Sequence, residues 1–333
     1  MRKIRVAILG MGNMGGKHLD ILREMEEVEV VALCAHRAAT AVAYNEEHGT
    51  DFPVYEDFDR MLAERDMDVL YVCLPPFAHC GQIEKAARKG IHIFNEKPIA
   101  LTIERGRSMV DAIAEKGVYT QVGYHMRFGK AVRRVRELVE SGIAGRPTLF
   151  SANYECNSLH TSWWRDRSKS GGQILEQIIH LYDMAYFMVG DVETVTGFIA
   201  NIAHQNIPDY TVEDTSSVAL RFKNGALGSV TATNNAIPNR WVGIFKIVFE
   251  NMVAEFSDHN HCRIIFTKEN NREEIIAEET DHALAEEDRY FIDVLLGKRP
   301  PFATMAEGLT GLKIVTAACT SASNDGRPVK IAQ

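Results

Sequence analysis

Long apolar runs are missing from this chain. No stretch approaches the roughly 18 consecutive apolar residues that a membrane-crossing helix needs, so no span is expected. Blocks of like charge are missing as well. The 37 Lys and Arg are dispersed among 45 Asp and Glu, and a net charge of −8 argues against a nucleic-acid surface and mainly serves solubility. Cysteine is sparse: the six at positions 34, 73, 80, 156, 262 and 319 form no C-x-x-C pair and no regular framework. A disulfide scaffold is excluded on that pattern, and reduced, mostly buried thiols are expected. Metal-ligand spacing is nearly absent. The one cluster, DHNHC at 258–262, offers His259, His261 and Cys262, but on a strand 262 would point away from the other two, and no second ligand pair follows. It reads as a strand or turn edge, with no metal expected. The N-terminal MRKIRVAILGMG is basic and then apolar, as a signal peptide is. Its apolar run is short, is broken by glycines and Asn13, and leads into the charged KHLDILREMEE without a small-residue cleavage site, so a cytoplasmic protein is expected.

What is present is an ordinary globular composition, 46% apolar and 25% charged, over 333 residues. That length exceeds what one hydrophobic core usually supports, so about two domains are expected. From Ile4 to about Val122, short apolar runs (IRVAIL, VEVVALC, VLYVCL, IHIFN, YTQV) alternate with helical stretches. This rhythm signals a parallel sheet with right-handed crossover helices. After Gly123 a helix and a strand are followed by a second helical stretch, and then by six strand-like segments between Val192 and Thr267, some separated only by KNG or EN, which read as hairpins. Two helices, around 282–296 and 305–323, close the chain. The expected fold is therefore α/β: an N-terminal Rossmann dinucleotide-binding domain over 1–122 and a C-terminal α+β domain with an open, largely antiparallel sheet over 123–333. No repeat or low-complexity segment marks the boundary; the change of pattern does.

The segment VAILGMGNMG places Gly10, Gly12 and Gly15 in G-x-G-x-x-G spacing after a strand and at the start of a helix. Gly10 permits the tight turn, Gly12 lets a pyrophosphate approach the backbone, and Gly15 allows close helix-to-strand packing. The loop Gly10, Met11, Gly12, Asn13, Met14 and Gly15 is the expected phosphate cradle, with free N–H groups at the helix start. An NAD-selective site usually carries an acid about 20 positions on. Here the second strand ends VVALCAHRAAT, with Ala35 in that place and His36 and Arg37 after it. A guanidinium in place of a carboxylate favours a 2′-phosphate, so NADP is expected over NAD.

SGGQILEQIIHLYD, 170–183, reads as one mostly buried helix. Its polar residues Gln173, Glu176, Gln177, His180 and Asp183 fall within about 120° of one another. The stripe holds no Lys or Arg, although an exposed helix face normally mixes signs.

NEKPIALT at 95–102, VCLPPFAH at 72–79, VGYHMRF at 122–128 and WRDRSKSGGQILEQIIHLYD at 164–183, taken with the glycine loop, resemble the glucose-fructose oxidoreductase, inositol dehydrogenase and rhizopine-catabolism family over nearly the whole chain. The resemblance implies that Lys97 contacts the reacting oxygen and that the Lys97–Pro98 bond is cis. It implies that His180 is the acid/base residue and that the polar stripe is the substrate side of a cleft. The family's G-G-G-x-x-x-D-x-x-x-H pattern is altered here, with Ser170 for the first glycine and Glu176 for the aspartate. A carboxylate still stands four residues before His180 and can share its helix face. Leu74, Pro75, His79 and Glu96 join the expected cofactor contacts, His79 near the start of a helix or capping it. Tyr124, His125, Tyr154, Trp164 and Arg165 join His180 as expected substrate contacts. The chemistry is self-consistent: a histidine exchanges protons near neutrality, and a lysine ammonium stabilises a developing alkoxide. The function expected is an NAD(P)-dependent oxidoreductase acting on a secondary hydroxyl or ketone of a sugar, cyclitol or sugar derivative, as a homodimer or homotetramer. The alternatives are a glycosidase with a tightly held nicotinamide and a non-catalytic dinucleotide sensor.

Overall fold

The computed structural model describes residues 2–331; Met1, Ala332 and Gln333, which fall in the domain ranges expected above, lie outside the described residues. The chain divides into two compact units, Met1–Gly123 with Leu284–Leu309, and Tyr124–Ala283 with Thr310–Gln333.

In the first unit the chain runs β1 (Ile4–Leu9), α1 (Asn13–Leu22), β2 (Val28–Cys34), α2 (Ala38–His48), β3 (Val54–Tyr55), α3 (Phe58–Glu64), β4 (Val69–Val72), α4 (Gln82–Arg88), β5 (His92–Asn95), α5 (Ile103–Lys116) and β6 (Thr120–Val122). The sheet order is β3-β2-β1-β4-β5-β6, and every pairing is parallel. This is the doubly wound order of a Rossmann domain. All four residues of β4, VLYV, are buried, as a parallel strand covered on both faces requires. The two-residue edge strand β3 escaped the sequence reading because it is too short to carry a period.

The core of this unit gathers Val6, Ile8, Leu19, Leu22, Val69, Tyr71 and Phe94, and it also takes Phe291 and Ile292 from α11 (Ala283–Leu295). Burying each of those two side chains contributes about 1.5–3 kcal/mol. Leu284–Leu309 thus packs with the N-terminal residues, whereas the strand-and-helix rhythm had placed it with the second half. A helix's apolar face is visible in sequence, but not what it meets.

The second unit contains α6 (Lys130–Glu140), β7 (Pro147–Glu155), the short helices α7 (Ser162–Arg165), α8 (Arg167–Ser170) and α9 (Gln173–Glu176), and α10 (Ile179–Val189). Then follow β8 (Val192–Ala200), β9 (Thr215–Phe222), β10 (Leu227–Thr233), β11 (Val242–Phe249), β12 (Met252–Phe256), β13 (Cys262–Phe266) and β14 (Arg272–Ile276). The closing helix α12 (Met305–Ala322) and β15 (Val329–Lys330) end the chain. The nine strands form one sheet, β14-β13-β12-β11-β7-β10-β9-β8-β15, antiparallel except for β7 with β10. Strand β9 alternates buried and exposed residues, so one face of the sheet is covered and the other open. The expected KNG and EN hairpins join β9 to β10 and β11 to β12. Strand β14, REEII, was missed because four of its five positions carry charge or only partial burial.

Candidate active site

Three of the cradle's features are set by sterics. Gly10 sits at φ +102°, and a Cβ there would lie 2.4 Å from the Cys73 carbonyl oxygen; one on Gly15 would lie 1.9 Å from the Gly10 oxygen. Both positions therefore need glycine. Gly12 is different: nothing lies within 4 Å of its Cβ position, so the space above it is open. Gly12 is also the N-cap of α1 and supplies no side-chain cap, which leaves the N–H groups of Asn13, Met14 and Gly15 directed at that space. The residues present fit a dinucleotide pyrophosphate.

A surface pocket beside β2 is lined by His36, Glu56, Asp57, Leu74, Pro75 and Phe77. Ala35 is buried, His36 and Arg37 are exposed, and Arg37 is the N-cap residue of α2. The Glu56 carboxylate accepts the Ala38 N–H at 2.7 Å, so an acid does stand at the start of α2, although it arrives from the end of β3. His79 follows the turn Pro76–Ala78; it does not cap α4, whose N-cap is Gly81. Burial pushes its imidazole down to about 4, with the Arg105 charge adding to the effect and a contact with the Leu74 backbone opposing it. A neutral imidazole can donate at one nitrogen and accept at the other, which suits a bound ligand.

The Lys97–Pro98 bond is cis. Glu96 is buried, with Oε2 accepting the Lys97 backbone N–H at 3.1 Å and Oε1 3.0 Å from His18 Nε2.

In the second unit the stripe 170–183 is not one helix. Gln173 O accepts the N–H groups of both Gln177 and Ile178, each at 3.0 Å, and Ile178 sits at φ −90°, ψ 0°. An i→i+5 bond widens the turn and ends α9 before α10 begins. Glu176 and His180 therefore lie on separate helices, and the argument from a shared helix face does not apply. The Glu176 carboxylate instead accepts Trp164 Nε1–H at 2.7 Å. Nor is the stripe a wetted surface. Gln173 is fully buried and its amide donates to Asn234 Oδ1 at 2.7 Å, while Asp183 is ion-paired to Arg127 at 2.6 Å.

The His180 ring lies edge-on to His125, with centroids 4.7 Å apart, and to Tyr124 at 6.3 Å. His125 in turn meets His259 at 5.4 Å, and His259 Nε2 lies 3.1 Å from Asp281. Gln177 Nε2 lies 3.0 Å from His160 Nε2 and 3.4 Å from Cys156 Sγ, and His160 packs on Trp164 at 4.3 Å. Burial raises the Tyr154 hydroxyl above the usual phenol range, with the Cys156 and Glu176 charges adding. Arg165 Nε is buried without a hydrogen-bond partner. The structure thus brings Tyr124, His125 and His180 together, and Trp164 with Glu176.

Sequence reasoning overlooked Cys156, His160 and Asp281. No local pattern marks them: Cys156 and His160 meet Gln177 from the segment after β7, and Asp281 meets His259 from the loop before α11. In the DHNHC segment, His261 Nδ1 lies 2.9 Å from Asp258 and Cys262 is buried in β13. No cluster of three metal-ligating side chains occurs among the described residues. All six cysteines are free, and among the described residues no helix is long and apolar enough to cross a membrane.

An open phosphate cradle on a doubly wound sheet, in a chain whose α+β unit carries a half-buried histidine cluster, defines a nicotinamide-nucleotide oxidoreductase. The chain belongs to the Gfo/Idh/MocA oxidoreductase family. Residues 4–124 match its NAD-binding Rossmann-fold profile and residues 132–268 its C-terminal domain profile. Among curated relatives, scyllo-inositol 2-dehydrogenase (NAD+) of Bacillus subtilis is 24% identical over 99% of this chain and 96% of its own length. The 2,7-anhydro-N-acetylneuraminate hydratase of Mediterraneibacter gnavus is 30% identical over 67% of this chain, and the match spans 60% of that protein. Among solved structures, the WlbA dehydrogenase of Bordetella pertussis, in complex with NADH and UDP-GlcNAcA, superposes with a TM-score of 0.85 at 26% identity, covering 100% of this chain and 99% of that one. Levoglucosan dehydrogenase with NADH and levoglucosan gives 0.90 over the full length of both chains at 21% identity, a likeness of fold.

Proposed function

We propose that this oxidoreductase transfers hydride between NAD(P) and a secondary hydroxyl or ketone of a sugar, cyclitol or sugar derivative. The observation that carries the reading is the cradle open at Gly12, with uncapped N–H groups behind it, in a chain whose relatives include inositol dehydrogenases. The bound nicotinamide supplies the hydride acceptor. Lys97 is the cation at the reacting oxygen, and His180 takes the hydroxyl proton as the C–H hydride departs. Glu176, held by Trp164, tunes His180. Tyr124, His125, Tyr154, Trp164 and Arg165 shape the substrate pocket, and His79 with Leu74, Pro75 and Glu96 serves the cofactor side. The range 1–122, with Leu284–Leu309 packed against it, is read as the cofactor domain, and the rest of 123–333 as the substrate and assembly domain.

For the cofactor, Ala35, His36 and Arg37 favour a 2′-phosphate, while Glu56 and Asp57 in the same pocket work against it. NADP is the preferred partner in this reading, with the opposing carboxylates holding the preference within about tenfold. The open sheet face exposes Leu149, Leu227, Ile244 and Ile275, with Leu149 paired in register to Leu227. A second copy of the chain covers it in a homodimer or homotetramer. A cytoplasmic site is retained.

The test is reduced-nicotinamide absorbance with NAD or NADP and a panel of inositols, aldoses, amino sugars and sugar nucleotides. Turnover that Lys97→Ala abolishes, with cofactor affinity kept within about an order of magnitude, supports the roles; substantial activity in that variant sinks them. A second reading follows from the hydratase relatives, whose named reaction is redox-neutral: a retained cofactor that oxidises and re-reduces one sugar. Cofactor released on denaturation, with sugar converted but no net reduction, would select it. Cofactor-dependent conformational change without any turnover would select the sensor.

A further inference from the structure

Among the buried titratable residues that hydride transfer as assigned above leaves unused, His18 bridges two carboxylates. His18 lies on the inner face of α1 beside Gly15, Leu19 and Leu22, wholly shielded from solvent. Its Nδ1 is 2.9 Å from each carboxylate oxygen of Asp288, and its Nε2 is 3.0 Å from Glu96 Oε1. The side chains of Asp288 and Glu96 are 0% and 7% exposed. Phe94 and Tyr71 close on the ring at 4.8 and 5.6 Å. Tyr71, Cys73 and Glu287 are the other titratable groups facing the cluster.

A neutral imidazole has one N–H and cannot donate to carboxylates on both sides; the imidazolium can. Burial opposes that charge, but the Asp288 and Glu96 carboxylates outweigh it and hold the imidazole well above its ordinary range. Glu96 is fixed from two further directions. Its Oε2 receives the Lys97 N–H, and Gly123 backs it so closely that a Cβ there would lie 2.8 Å from the carboxylate. A continuous set of bonds therefore runs from the helix that opens at the glycine loop, through His18 and Glu96, to the backbone of Lys97.

We propose that His18, clamped between Asp288 and Glu96, is a positioning residue that fixes the Lys97 turn relative to the phosphate-binding helix. For catalysis the proposal rests on the role assigned to Lys97; as a statement about the clamp it stands on the geometry. Small misplacements of a reacting group are costly, so loosening the clamp acts on turnover more than on binding.

The test compares wild type with His18→Gln and Asp288→Asn, each shown to be folded by a cooperative melt. Two readouts are taken: steady-state kinetics, and hydrogen exchange of a peptide containing Lys97. His18→Gln is expected to lower kcat roughly ten- to a hundredfold while leaving the cofactor KM within about threefold. The Lys97 amide should exchange about tenfold faster. Asp288→Asn removes a charge that favours the imidazolium. The cation is then lost at lower pH than in the wild type, so the alkaline decline of kcat sets in earlier. A folded His18→Gln with kcat within about twofold of wild type and unchanged exchange at Lys97 overturns the proposal. If His18→Gln does not fold, Glu96→Gln replaces it: faster exchange at Lys97 supports the clamp and unchanged exchange refutes it. Should Lys97→Ala retain turnover, the assigned reaction roles fail, while the exchange data still decide the clamp.

Discussion

Replacing Asp183 by Asn should destabilise the second unit more than any surface change. Arg127 and Asp183 form a bidentate pair, Nε to Oδ2 at 2.9 Å and the second nitrogen to Oδ1 at 2.6 Å, with side chains 0% and 1% exposed. The guanidinium also lies 5.4 Å from the Tyr124 ring and 4.7 Å from that of Phe187. An Asn keeps the shape and removes the charge, so the desolvated guanidinium loses this carboxylate. Breaking a buried pair in this way costs about 3–5 kcal/mol. For a unit of roughly 180 residues, at about 2–4 °C per kcal/mol, Tm falls by roughly 6–20 °C. The pair also joins the turn carrying Tyr124 and His125 to the helix carrying His180, so kcat should fall while cofactor affinity holds. Thermal melts followed by circular dichroism read the first effect, and the double variant Arg127→Met with Asp183→Leu should recover much of the lost stability. If the single variant melts within about 2 °C of wild type, the pair is not the strut described.

Two further substitutions probe the site. Glu56→Gln removes the carboxylate at the start of α2 and should raise the NADP-to-NAD ratio of kcat/KM by roughly threefold or more at low salt, less at high salt; an unchanged ratio would separate Glu56 from cofactor choice. Trp164→Phe deletes the donor to Glu176 and should lower kcat roughly ten- to a hundredfold, the worth of a hydrogen bond to a charged acceptor. A purely structural Trp164 would change Tm and leave the pH profile of kcat where it was.

His18 also sets a pH dependence of stability. Its native value is raised, so its contribution is fully present below its unfolded value of about 6.5 and is lost only as pH rises through the native one. His18→Gln should therefore flatten the fall of Tm on the alkaline side, which a pH series of melts would read.

The amino-acid sequence by itself determined the Rossmann half, because its signals are local: strand and helix periods alternate, and the spacing of Gly10, Gly12 and Gly15 falls at the junction of β1 and α1. It also placed the antiparallel hairpins, which turn residues specify at short range. Only the tertiary structure decided the rest. Leu284–Leu309 joins the first core through Phe291 and Ile292, and the His18–Asp288 bond in the same region spans 270 residues of sequence. The helix expected over 170–183 breaks at Gln177 and Ile178, and Glu176 turns to Trp164. Periodicity reports which face of a segment is apolar; it is silent on which distant side chain will satisfy the polar atoms that folding buries, and those pairings set the geometry of the site.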